Sequence, residues 1–253
     1  YWLPAKRIHG RSYRAYYADW RAEVEQRYVA VKAELEAEGL TESAMVSDGQ
    51  AACNGPRFSP DGAKLLYSCN SREHGPGIWL ASADGRDPRK LYDETSPHSF
   101  AWRADSAAFA FASTHAYDIY YSFEDLYLYH LETDRLEQVT ERARARDPEF
   151  SPDGRDLVAV TNQAQVNDLA RFSIAGLVTP LTDHQGHVQL SNPRFSPDGQ
   201  HIALSMWRDG QRDLWLVSPS GEFTHQLTRD MAVERDPAWH PDGSLLYFVS
   251  DRT

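Results

Sequence analysis

From residue 51 onward, short apolar runs are cut at regular intervals by polar turns. "KLLYS" (64–68), "GIWLASADG" (77–85), "DLYLYHLET" (125–133) and "DLWLVSPSG" (213–221) read as strands followed by turns, and "PRKLYD" (88–93), "RLEQVT" (135–140) and "FTHQLT" (223–228) as shorter strands. Their apolar/polar alternation is imperfect, as expected where sheets are covered on both faces. Residues 18–40 follow another period. Trp20, Val24, Tyr28, Val31 and Leu35 fall at i, i+4, i+8, i+11 and i+15, one face of a helix over about 18–39. Asp19 can cap its start and Gly39 can end it.

The strand pattern carries a punctuation mark. "PRFSPDG" stands at 56–62 and again, unchanged, at 193–199; "PEFSPDG" lies at 148–154, "PAWHPDG" at 237–243 and a degenerate "FAWRADS" at 100–106. Aligned on Pro60, Ala104, Pro152, Pro197 and Pro241, the steps are 44, 48, 45 and 44 residues. A period in the forties marks a propeller with one four-stranded blade per repeat. Within the motif, Ser opens a turn, Pro pre-sets φ and Gly takes the left-handed place that closes a tight hairpin. Ser106 in the glycine position of the second repeat costs roughly 1 kcal/mol for the same conformation.

The pattern therefore predicts an all-β fold: a β-propeller of four-stranded antiparallel blades, four complete and a fifth begun, with an N-terminal α-helical extension. The extension covers 1–50 and the propeller 51–253. Blades are expected near 56–97, 100–145, 148–190 and 193–234, and the first two strands of a fifth after 237. Phe58, Trp102, Phe150, Phe195 and Trp239 are expected to be buried on the inner strands. The abrupt start on "YWLPAKR" and the stop at "SDRT" lead to the expectation of a piece of a longer precursor, cut within its fifth blade.

These repeats resemble the TolB-type, WD-like propeller repeat over about residues 55–253. The resemblance implies a non-catalytic scaffold or binding domain of an extracytoplasmic, periplasmic bacterial protein that takes protein or peptide partners. The same repeat occurs in propellers attached to serine and metallopeptidases. The alternative it implies is an accessory, substrate-gating propeller of a peptidase whose catalytic domain lies outside this chain. No catalytic residue carries over, because the shared motif is structural.

Composition narrows the choice. Hydrophobic residues make up 41% and aromatics 12%, enough for a sizeable β core, and the net charge of −11 argues against a nucleic-acid partner. No apolar run approaches the 18 residues of a membrane span. HExxH, GxSxG, P-loop and dinucleotide motifs are missing, so no catalytic, cofactor or metal residue is assigned. Asp183-His184-Gln185-Gly186-His187 could in principle hold a metal in a channel-mouth enzyme, but reads more simply as a polar loop.

Topology points to one face. With the four strands of a blade lettered a to d in chain order, the SPDG turns mark the side of the a–b and c–d connections, and the b–c and d–a loops collect on the other. That face gathers His74, His98, His115, Tyr117, Tyr120, Tyr121, Arg142, Arg144, His184 and His187. Of these, His115, Tyr117, Tyr120, Tyr121, Arg142, Arg144, His184 and His187 form the candidate partner-binding set, with the insertion "HAYDIYYSF" (115–123) as its leading contact.

Two cysteines remain. If Pro60, Asp61 and Gly62 form the hairpin loop, paired positions sum to 122 and Cys53 faces Cys69. A disulfide there would stabilise by roughly 3 kcal/mol in the chain-entropy model and would fit an oxidising compartment. Two unrelated thiols are the alternative.

Overall fold

The computed structural model describes residues 10–39, 52–71, 75–93, 99–163, 166–174, 176–184 and 186–252. The N-terminal unit contributes one helix, α1 (Tyr13–Glu38), which starts earlier than Asp19. Ser12 is the N-cap, its Oγ accepting from the Ala15 N–H at 3.2 Å. Two more turns, carrying Arg14, Ala15 and Ala18, precede the apolar face, so Asp19 lies within the helix. Gly39, with φ 90°, ends it by donating its N–H to the Glu36 carbonyl.

The remaining elements are strands. Blade 1 is β1 (Ala52–Phe58), β2 (Lys64–Ser71), β3 (Gly75–Ser82) and β4 (Arg89–Tyr92). Blade 2 is β5 (Phe100–Trp102), β6 (Ala108–Ala116), β7 (Ser122–His130) and β8 (Arg135–Gln138). Blade 3 is β9 (Ala145–Phe150), β10 (Asp156–Gln163), β11 (Val166–Ser173) and β12 (Val178–Pro180). Blade 4 is β13 (Gln189–Phe195), β14 (Ile202–Arg208), β15 (Gln211–Val217) and β16 (Phe223–Gln226). A two-stranded sheet of β17 (Glu234–Trp239) and β18 (Leu246–Ser250) follows. Each four-stranded sheet pairs antiparallel in chain order. This is the expected propeller architecture.

A core lies between each adjacent pair of blades. In β6, Phe109 and Phe111 face blade 1 and pack with Leu66, Ile78, Phe100 and Tyr129. Ala108 and Ala110 of the same strand face blade 3, where Phe150 and Phe172 fill the space the alanines leave. Large residues on one face and small ones on the other let flat sheets pack closely in series. A third core joins Val158, Val160 and Leu169 of blade 3 to Ile202, Leu204 and Val217 of blade 4.

The SPDG turns are built as their chemistry requires. Ser59 Oγ donates to Asp61 Oδ1 at 2.5 Å and accepts from the Lys64 N–H at 2.9 Å, and Gly62 takes φ 70°. Ser151–Asp153 and Ser196–Asp198 repeat the contact at 2.6 Å. Ser106 does adopt the left-handed conformation, φ 56°, and its Oγ accepts from the Asp61 N–H of the neighbouring blade at 3.2 Å.

Two expectations need correction. Of the five inner-strand aromatics, only Phe150 is fully buried; Trp102, Phe195 and Trp239 are half-buried and Phe58 is 62% exposed. The indoles of Trp102 and Trp239 donate to the carbonyls of Arg57 and Arg194, each on the preceding inner strand. This position therefore faces the blade before it, and Phe58 stands on the first blade.

The second correction concerns register. Ser59 N donates to Lys64 O, so the loop holds Pro60–Ala63 and Phe58 pairs with Leu65. A β-bulge between Asn54 and Arg57 then restores Cys53 opposite Cys69. The cysteines form a disulfide with Cα atoms 4.1 Å apart. The pairing is as expected, but it arises from two offsetting one-residue shifts.

Candidate functional site

The same bulge recurs in β9, β13 and β17. It sits on the dipeptides Gly55-Pro56, Asp147-Pro148, Asn192-Pro193 and Asp236-Pro237, whose first residues all have left-handed φ between 51° and 62°. Asn and Asp tolerate that conformation better than other side-chain-bearing residues. Each bulge bends its strand and re-aims its neighbours inward. The five inner strands together line a central cavity of about 600 Å³, walled by Gly55, Arg57, Arg146, Asp147, Asn192, Arg194 and Asp236 among others. Its polar wall is continuous between blades: Asn192 N donates to Asp147 Oδ2 at 3.4 Å, and Asn192 Nδ2 donates to Asp236 Oδ1.

Three buried or half-buried aspartates at the start of the third strands organise the loop face. Asp125, Asp168 and Asp213 each accept from a threonine hydroxyl two residues past the fourth strand: Thr140 at 2.9 Å, Thr182 at 2.8 Å and Thr228 at 3.3 Å. The same threonines accept the N–H of Leu126, Leu169 and Leu214. The signal was present in the sequence as "DL" in "DLYL", "DLAR" and "DLWL" with a Thr fourteen or fifteen residues on. The pairing is hidden in the sequence, because each Asp meets its Thr only when the third and fourth strands pair. Blade 1 has Gly77 and Tyr92 at these places.

Asp125, fully buried, does most. It also accepts the backbone N–H groups of Arg142 at 3.1 Å and Ala143 at 2.9 Å, and the Tyr117 hydroxyl. Tyr117 Oη in turn accepts from Gln138 Nε2 and Arg142 N, both at 3.0 Å. Burial, then the Asp125 carboxylate, raise the Tyr117 pKa above the ordinary phenol value.

Around this post the expected residues of blade 2 assemble. The guanidinium of Arg142 lies 4.9 Å over the Tyr117 ring and that of Arg144 lies 4.4 Å over Phe123, both cation–π distances. His115 meets Tyr117 edge-on at 4.7 Å, and Tyr121 stacks near Phe123. Tyr120 stands at the hairpin tip, 85% exposed, beside the 90% exposed Ile119. Ile119 was not singled out from sequence.

The histidines of blade 3 lie apart. His184 Nδ1 is 2.8 Å from Asp168 Oδ1, which also accepts the His184 N–H, and its ring meets Phe223 edge-on. His187 is exposed. Among the described residues no group of three or more His, Cys, Asp or Glu is arranged to hold a metal ion. His74 and His98 lie outside the described residues.

Comparison with known proteins bears on this architecture. A family model described as "TolB beta propeller domain" matches residues 178–253. The Tol-Pal system protein TolB of Anaeromyxobacter dehalogenans is 33% identical over 103 residues, 40% of this chain and 23% of that protein. The crystal structure of TolB from Acinetobacter baumannii superposes with a TM-score of 0.66 at 18% identity, covering 79% of this chain and 49% of that one.

The repeats form a TolB-type β-propeller.

The chain is also similar to a peptidase. Dipeptidyl-peptidase 5 of Porphyromonas gingivalis is 25% identical over 153 residues, 54% of this chain and 22% of that protein. The chain thus spans less than a quarter of the length of these curated relatives. In this TolB-type propeller, no described helix is long and apolar enough to cross a membrane.

Proposed function

We propose that this chain is a non-catalytic binding module that recognises a protein or peptide partner through its b–c and d–a loop face, chiefly at the blade 2 hairpin. The observation that carries this reading is the contrast between anchor and tip. Asp125 and Tyr117 fix the hairpin base through part-buried hydrogen bonds, while Ile119, Tyr120, Arg142 and Arg144 remain exposed. Aromatic and Arg side chains on a rigid support bind with little ordering cost. Relatives whose names place them in a Tol-Pal system support a role among protein partners. The Cys53–Cys69 bond supports an oxidising, extracytoplasmic setting.

A second reading, an accessory propeller of a peptidase, is favoured by the longer match to dipeptidyl-peptidase 5. The test is affinity co-purification from the native host with Tyr120→Ala/Arg144→Ala against Asp198→Asn on the opposite face. Loss of the partner with the loop-face variant alone is expected, at unchanged melting temperature. Loss with Asp198→Asn alone would overturn the reading.

A further inference from the structure

We propose that the central cavity is a carboxylate-binding site, in which a carboxylate group is held by Arg57 and Arg194 with Arg146 beside them. Three observations converge.

The first is an orphaned donor. Arg194 is 8% exposed and lines the cavity; its Nη1 donates to Pro193 O at 2.8 Å and to Glu149 Oε2 at 3.3 Å. Its Nε–H has no partner among the described residues, and neither has the buried Ser99 hydroxyl on the same wall. Buried polar groups are ordinarily hydrogen-bonded, so these two mark a wall whose polar groups the chain itself does not fully satisfy.

The second is charge. The cavity wall carries Arg57, Arg146 and Arg194 against Asp147 and Asp236, three positive charges and two negative, a surplus of one. Arg212 donates to Ser191 Oγ at 3.0 Å on this wall, and burial, then the nearby Arg235 and Arg146, lower its pKa. With Arg212 and Arg235 added, and Glu149 set against them, the region stays positive within a chain of net charge −11. A carboxylate group brings one charge to this wall, whereas a phosphate dianion would bring two to a single point facing two aspartates at close range.

The third is Glu149. Its carboxyl already occupies one arm of Arg194, and burial pushes its pKa up to about 7 against the pull of Arg57. The chain thus places one carboxylate of its own against this arginine. A cavity of about 600 Å³ has the size of ligand sites in general. The carboxylate could be carried by a small organic acid or by an acidic side chain of a peptide, and the two sources are separable by experiment.

The site does not depend on the hairpin, so its test is independent of the partner-binding reading. Binding of succinate and of a tetraglutamate peptide to the whole chain is measured by calorimetry at fixed ionic strength, with sulfate as the competing anion. Saturable binding of at least one of the two carboxylates is expected, weakened about tenfold or more in Arg57→Gln and Arg194→Gln. Glu149→Gln, which removes the competing carboxylate, is expected to tighten it several-fold, and Tyr120→Ala to leave it unchanged. Should Arg194→Gln fail to fold, Arg57→Gln and Glu149→Gln still decide in opposite directions. Peptide binding more than tenfold tighter than succinate assigns a peptide source; equal affinities assign a small acid. No binding of either at 10 mM (roughly the weakest specific affinity of interest), equal binding in Arg57→Gln, or sulfate binding as tightly as succinate would overturn the proposal.

Discussion

Replacement of Asp125 by alanine removes the acceptor of four donors: the hydroxyls of Tyr117 and Thr140 and the N–H groups of Arg142 and Ala143. Hydrogen bonds to a charged group contribute about 1.5–3 kcal/mol each, but those sharing one carboxylate are not additive. Loss of the carboxylate also relieves its own desolvation. A net destabilisation of about 3–4 kcal/mol follows, which for a domain of this size lowers the melting temperature by roughly 10 °C. The two homologous positions provide an internal scale. Among the described residues, Asp168 accepts from Thr182 Oγ1 and from the backbone and ring of His184, and Asp213 accepts from Thr228 Oγ1 and Gln226 Nε2. Denaturant unfolding of the three alanine variants should rank them Asp125, Asp168, Asp213 in decreasing cost. The Asp125 variant should also become sensitive to limited proteolysis within 117–123, since Tyr117 loses its anchor. A cost below about 1 kcal/mol for Asp125→Ala, or a larger cost for Asp213→Ala, would refute the assignment of this carboxylate as the organiser of the hairpin.

Cys53→Ala should lower stability by about 3 kcal/mol in the chain-entropy model, read by denaturant unfolding, and thiol titration of the unreduced wild type should find no free cysteine. Gly221→Ala should cost about 3 kcal/mol or more, because its Cβ would lie 1.8 Å from the Leu181 carbonyl oxygen of the neighbouring blade at a φ of 97°; a change under 1 kcal/mol in thermal unfolding would contradict the close approach. Hydrogen bonds from Ser244 hold the Asp242 carboxyl at about 2, below its ordinary value of 3.8. A depressed folded value means stability fully present above about pH 4 and lost as pH falls through about 2. Asp242→Asn should flatten that acid limb, and an NMR titration placing Asp242 near 4 would remove the basis of the prediction.

Much of this fold was legible because it repeats. Four near-identical turns fixed the period, and Ser59, Pro60, Asp61 and Gly62 each have a local reason to sit where they do. The inner-strand bulges are not legible in the same way, although every one is written as Gly-Pro, Asp-Pro or Asn-Pro. A bulge changes register without disturbing the turn, and only pairing partners reveal it. Phe58 was expected to be buried because its position was; burial there depends on a preceding blade, which is a property of neighbours and not of the repeat. On the loop face, Tyr117, Arg142 and Arg144 were recognisable as residue types, but their assembly depends on Asp125, seen only once the sheet brings strand start and strand end together. The cavity arginines were invisible for the same reason: Arg57 and Arg194 belong to "PRF" motifs 137 residues apart and meet only on the inner wall of the ring.

The central claim, that partners engage the b–c and d–a face at the blade 2 hairpin, is tested most directly by site-specific photo-crosslinking in the native host. A photoreactive residue is placed at Tyr120 on the hairpin tip and, in separate chains, at Asp61 and Asp198 in the SPDG turns. The account predicts a discrete crosslinked partner from position 120 and none from 61 or 198. Crosslinks to a discrete partner from 61 or 198, with none from 120, would contradict it.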